Sequence, residues 1–143
     1  MAYNPSQPAL DFWISLEPPK DFESFSDVII DRKSHYTVTY GKVTSKEEID
    51  TFMKNLKKDS YFAKASHNSY AYRLKESSWA ILEGKNDDGE TGAGMCILRE
   101  LQRVDFLGWI VIVTRYFGGI HLQADRFKHV INACKILFKK IGE

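Results

Sequence analysis

Trp109-Ile110-Val111-Ile112-Val113 is an unbroken apolar run. Successive side chains of a strand point to opposite faces, so such a run needs cover on both sides. The chain therefore requires a central strand with packing above and below it. The 143 residues suit one domain.

Other strands are legible nearby. Val28-Ile29-Ile30 and His35-Tyr36-Thr37-Val38-Thr39-Tyr40 are short apolar, β-branched or aromatic segments, with Gly41 offering a bulge or bend. Ala63 to Leu74 reads as a third strand and Trp79-Ala80-Ile81-Leu82 as a fourth. Helices alternate with them. Ser45-Lys46-Glu47-Glu48 has the capping-box form, and Ile49, Phe52, Met53 and Leu56 follow at helical spacing, predicting a helix over 46–58. Asn86-Asp87-Asp88-Gly89 is turn chemistry. A second helix opens at Thr91-Gly92-Ala93-Gly94. Gly118-Gly119 ends the apolar run's segment. Asp125 reads as the cap of a last helix with Phe127, Val130, Ile131, Cys134, Leu137 and Phe138 on one face and Lys139-Lys140 at its cationic end. Strand, strand, helix, strand, strand, helix, strand, helix predicts an α/β (α+β) two-layer sandwich.

Residues 1–26 hold all four prolines with Phe12, Trp13, Phe22 and Phe25. They read as an extended, acidic arm that packs in part on a domain spanning 27–143. The near-neutral total charge of +1 hides an asymmetry. Residues 1–31 carry one Lys against six acids, while residues 32–75 carry ten bases against four acids. The total argues against a general nucleic-acid binder, and the basic middle segment weakens that exclusion. No apolar run reaches the roughly 18 residues of a membrane span. The opening Met-Ala-Tyr-Asn-Pro-Ser-Gln-Pro lacks the layout of a secretory signal. Cys96 and Cys134 both sit in apolar stretches and read as buried, reduced thiols. The expected location is the cytoplasm, with the nucleus as a second compartment.

Three segments use residues that a core does not require: His67 to Arg73, Asp87 to Gly94, and Thr114 to Gly119 continuing to His121 and Asp125-Arg126-Phe127. The acidic segment admits two readings. Its carboxylates and its glycines at a helix start could hold a phosphate and Mg²⁺. Alternatively, the acids cap the helix, and the absent Lys rules out the P-loop pattern. Arg73, Arg115 and Arg126 suit phosphate or carboxylate, or pairing with Asp87, Asp88 and Glu90. Tyr70, Tyr72, Tyr116 and Phe117 could stack bases, or simply fill the core. His67 stands without a second ligand at metal-binding spacing. No catalytic triad, metal set or cofactor motif is present, so no catalytic residue, metal or cofactor is expected.

These segments resemble the IMPACT family, which includes the bacterial YigZ-like amino-terminal domains. The resemblance is carried by Asp31-Arg32-Lys33-Ser34, Ala65-Ser66-His67-Asn68 with Ala71-Tyr72-Arg73, Asp87-Asp88-Gly89-Glu90, and Thr114-Arg115-Tyr116-Phe117-Gly118-Gly119. Asp125-Arg126-Phe127-Lys128-His129 is nearer the eukaryotic branch. Gly92-Ala93-Gly94-Met95-Cys96 departs from the family pattern, and Gln123 stands where a glycine commonly follows the Leu. The resemblance implies a fold like the second domain of ribosomal protein S5. It also implies a role in translation control during amino-acid starvation. The partners it implies are the ribosome-associated activator of the initiation-factor kinase and monomeric actin. Eukaryotic members also carry an RWD domain, which the short arm would not contain.

Three functions follow as expectations. The first is a non-enzymatic module that binds a protein or the ribosome. The second is a nucleic-acid binder using Lys64, His67, Tyr70, Arg73, Arg115 and Arg126. The third is a phosphate-handling enzyme at Asp87–Gly94. All three place one surface at His67, Tyr70, Arg73, Asp87, Asp88, Glu90, Arg115, Tyr116, Gly118, Gly119, Asp125 and Arg126.

Overall fold

The computed structural model describes residues 22–142. The arm's prolines, Phe12 and Trp13 lie outside the described residues. Five strands form one sheet: β1 (Phe22–Asp31), β2 (Ser34–Lys42), β3 (His67–Lys75), β4 (Ile81–Asn86) and β5 (Trp109–Tyr116). Their order is β1-β2-β5-β3-β4, and every pairing is antiparallel. Four helices complete an α+β fold: α1 (Lys46–Leu56), α2 (Ser60–Ala63), α3 (Ala93–Arg103) and α4 (Asp125–Lys140). No described helix is long and apolar enough to cross a membrane.

The apolar run is the central strand β5, and each face is covered. Val111 and Val113 join Tyr36, Val38, Ile97, Leu101, Val130 and Leu137 beneath α3 and α4. Ile110 and Ile112 join Tyr72 and Leu74 with Ile49, Leu56 and Phe62 from α1 and α2. This parity governs the rest of the molecule. On β3, Ala71 faces α3 and α4, while Tyr70 and Tyr72 face α1 and α2.

Local chemistry explains the boundaries. Ser45 Oγ accepts from Glu48 N, and Glu48 Oε1 in return accepts from Thr44 N, so α1 starts as its capping pattern predicts. Asp59 Oδ1 accepts from Tyr61 N and starts the short helix α2, which takes in Ala63, so the strand expected from Ala63 begins only at His67. The fourth strand begins at Ile81, leaving Trp79 exposed in the preceding turn. Among the described residues strand β1 covers Phe22–Asp31, well beyond the apolar Val28-Ile29-Ile30 run. Its bulge lies between Phe25 and Ile29, not at Gly41, and Asp27 adopts φ 51 there.

Asp125 does not cap α4 with its side chain. Ala124 is the N-cap, and the Asp125 carboxylate accepts from Arg32 Nη2 instead. Cys134 is buried and Cys96 half-buried. Desolvation pushes both thiols up, Cys134 well above the ordinary range.

Candidate functional site

One end of the sheet gathers the sequence segments singled out above. There His35 pairs with Tyr116 and His67 with Arg115, and β4 ends at Asn86. The chain between Asn86 and α3 is an acidic turn. Asn86 Oδ1 accepts from Asp88 N, Asp88 has φ 48, and Gly89 φ 86. Asp87 Oδ2 accepts from Gly92 N at 3.0 Å and Oδ1 from Gly94 N at 2.8 Å. These backbone bonds, Gly92 foremost, hold the Asp87 carboxyl below the usual carboxylate range against the opposing effect of burial. Asp88 Oδ2 accepts from Asn68 N, and the Asp88 carbonyl accepts from His67 Nδ1. A carbonyl only accepts, so His67 carries its proton on Nδ1.

Glu90 turns inward. Arg115 Nη1 donates to Glu90 Oε2 at 2.6 Å, with both residues buried at 5–6% exposure. Arg115 Nη2 donates to Ser34 Oγ at 3.4 Å. The Arg115 guanidinium lies 5.4 Å from the Phe117 ring and 5.8 Å from the Tyr36 ring. Ser34 Oγ also accepts from Gly118 N, and Ser66 Oγ accepts from Phe117 N. Gly118 is required by this approach: a Cβ there would meet the Lys33 backbone at 2.2 Å.

The result is a cavity of about 380 Å³ lined by Ser66, His67, Gly89, Glu90, Thr91, Arg115, Phe117, His121 and Arg126. Of the sequence-predicted residues, His67, Glu90, Arg115 and Arg126 line it. Asp87, Asp88 and Gly118 bond to its walls, and Gly119, at φ 88, continues the wall loop.

Four predicted residues stand elsewhere, each for a physical reason. Tyr70 and Tyr116 have the wrong parity. Tyr70 packs with the α1 and α2 cluster, and Tyr116 Oη donates to the Tyr61 carbonyl on that same face. Arg73 has the right parity but lies six residues, roughly 20 Å, along β3 from His67. It is tied to Glu83 and Asp105, not to the acidic turn. Asp125 belongs to an outer network in which Arg32 donates to Asp31 and Asp125, and His129 Nε2 lies 2.7 Å from Asp31 Oδ2. Arg32, then His129, lower the Asp31 carboxyl to about 2. The six residues weighed for nucleic acid therefore do not share one surface.

Ser34 was missed as a site residue. Its two bonds go to β5 and the following loop, so only its place in Arg32-Lys33-Ser34 hinted at a role. Among the described residues no group of His, Cys, Asp and Glu could hold a metal ion.

A model of the Impact N-terminal domain matches residues 32–137. The chain belongs to the Impact N-terminal domain family. The IMPACT homolog of Saccharomyces cerevisiae is 40% identical over 128 residues, which is 87% of this chain and 50% of that protein. The Schizosaccharomyces pombe homolog is 36% identical over 110 residues, 77% of this chain and 39% of that protein. The chain thus spans half or less of these relatives. The solved two-domain translational regulator Yih1 superposes with a TM-score of 0.60 at 36% identity, over 87% of this chain and 48% of its own. A crystal structure of a hypothetical protein shares the fold at a TM-score of 0.72 and 21% identity, over 85% of this chain and 59% of its own.

The family departure at Gln123 has a backbone counterpart. Gln123 adopts φ 57, a left-handed conformation that glycine enters without strain.

Proposed function

We propose that this domain is a non-enzymatic, cytoplasmic regulator of translation initiation that works by binding a protein or the ribosome during amino-acid starvation. The observation that carries the reading is the fate of the acidic segment. Asp87, Asp88 and Glu90 are each engaged in holding the fold: two oxygens on the start of α3, one on β3 and one on Arg115. An architectural role for the motif that most resembles reaction chemistry supports a binding module over an enzyme. Family membership and the likeness to a solved translational regulator support the regulatory role. Beside the cavity, Phe117 and Ile120 are each 43% exposed, apolar groups of the kind that anchor a protein partner.

The test is affinity capture from amino-acid-starved cells, with the intact chain and with Phe117→Ala/Ile120→Ser. Recovery of ribosomes, the kinase activator or actin by the native chain, lost in the variant, is the expected outcome. Capture of none of these would overturn the reading.

A further inference from the structure

Three buried side-chain polar atoms lack a hydrogen-bond partner among the described residues: Tyr36 Oη, Arg115 Nε and Arg126 Nε. They are not scattered. Arg115 and Arg126 line the same cavity. Tyr36 is wholly buried against the Arg115 guanidinium. The two arginine Nε–H groups can only donate, while the Tyr36 hydroxyl lies behind Arg115, outside the cavity lining, and can donate or accept. A buried donor left unpaired is costly, and native proteins rarely keep one without a water or an ion to meet it.

Charge narrows the choice. The cavity presents two guanidinium groups and one carboxylate, and that carboxylate is committed to Arg115. Arg126 has no carboxylate partner among the described residues; its guanidinium rests 4.6 Å from the Phe127 ring. It also belongs to the first turn of the 16-residue helix α4, whose dipole adds positive potential. His67 and His121 contribute ring nitrogens, and Nε2 of His67 has no bond among the described residues. The start of α3 is not the attraction, because Asp87 already occupies its N–H groups.

We propose that this cavity binds a small phosphate monoester carrying a flat ring. A phosphate offers several oxygens in divergent directions, which suits guanidinium donors arriving from β5 and α4 better than a two-oxygen carboxylate does. The cavity is of the size that takes a small ligand. At its mouth the Phe117 and His121 rings stand 5.3 Å apart, with Phe117 exposed, and give the ring portion an aromatic surface. This inference rests on the unpaired donors; it shares Phe117 with the protein-partner reading, and Arg126→Met, which leaves Phe117 and Ile120 in place, separates the two.

The experiment uses the intact chain at ionic strength held constant with chloride. Inorganic phosphate, adenosine 5′-monophosphate, adenosine, a single-stranded RNA lacking terminal phosphates and a phosphoserine peptide are titrated by calorimetry. The Arg Nε–H signals are followed by nuclear magnetic resonance. Saturable binding of the monophosphate is expected, with inorganic phosphate weaker and adenosine absent. The Nε–H signals of Arg115 and Arg126 should move together. Arg126→Met should weaken binding by about tenfold or more, whereas Arg99→Met on the exposed side of α3 should not. Because the resonance shifts are read in the native protein, a variant that folds poorly does not blunt the test. No saturation, unmoved Nε–H signals, or binding unchanged by Arg126→Met overturns the proposal. Binding of the RNA or the phosphopeptide without the monophosphate overturns it in favour of a macromolecular phosphate.

Discussion

Replacing Asp87 with Ala separates an architectural acid from a ligand-binding one. The substitution removes the acceptors of Gly92 N and Gly94 N together. A capping bond of this kind contributes about 1 kcal/mol, and a carboxylate at a helix start adds about 0.5 kcal/mol through the dipole. The expected loss is therefore about 2–3 kcal/mol, or a fall in Tm of roughly 8–12 °C for a domain of this size. Urea denaturation followed by circular dichroism measures it. The sign with pH is definite. The Asp87 pKa is lowered by folding, so its contribution is present above the unfolded value of 3.8 and disappears as pH falls through the folded value. The difference between native chain and variant should hold steady at pH 5–7 and shrink below about pH 4. Asp87→Asn keeps one acceptor and should lose about half as much. A deficit under about 0.5 kcal/mol at pH 7, or one that persists unchanged in acid, would refute the capping account.

Other substitutions probe the same end of the sheet. Glu90→Gln leaves the buried Arg115 charge uncompensated and should cost about 3–5 kcal/mol, while Glu90→Gln combined with Arg115→Met should recover most of that in a double-mutant cycle. Gly118→Ala forces its new methyl into the Lys33 backbone and should destabilise by about 1–3 kcal/mol in thermal unfolding. Gln123→Gly relieves the left-handed backbone and should stabilise by about 0.5–1 kcal/mol; a loss of stability would show that the Gln side chain holds the loop.

The periodic parts of the fold were legible because periodicity is a local signal. The capping box of α1, the apolar face of α4 and the two-sided cover of β5 all follow from neighbours in the chain. The β1–β2 turn was not legible. Arg32 and Lys33 both have positive φ, yet neither is a turn residue, and Arg32 is held by Asp31 and Asp125, 93 positions away. The short helix α2 fell between the first helix and the strand expected from Ala63, and one Asp sufficed to start it. At the candidate site, the clustering of His67, Glu90, Arg115 and Arg126 was expected from segment chemistry. The exclusion of Tyr70 and Tyr116 follows from alternation within β3 and β5, and that of Arg73 from its distance along β3, and both could be read only once the strand bounds were fixed.

The strand order β1-β2-β5-β3-β4 has a temporal meaning. The sheet consists of two hairpins that share no pairing with each other until β5 inserts between them, and β5 is the last strand to leave a ribosome. Without β5, the inner edges of β2 and β3 are both unpaired, and β5 closes both at once, leaving β1 and β4 as the edges of the sheet. The same event delivers Arg115 to Glu90 and Ser34. The cavity needs more than the completed sheet: Arg115 comes with β5, and His121 and Arg126 only with the chain that follows it, so a ligand there meets the finished domain.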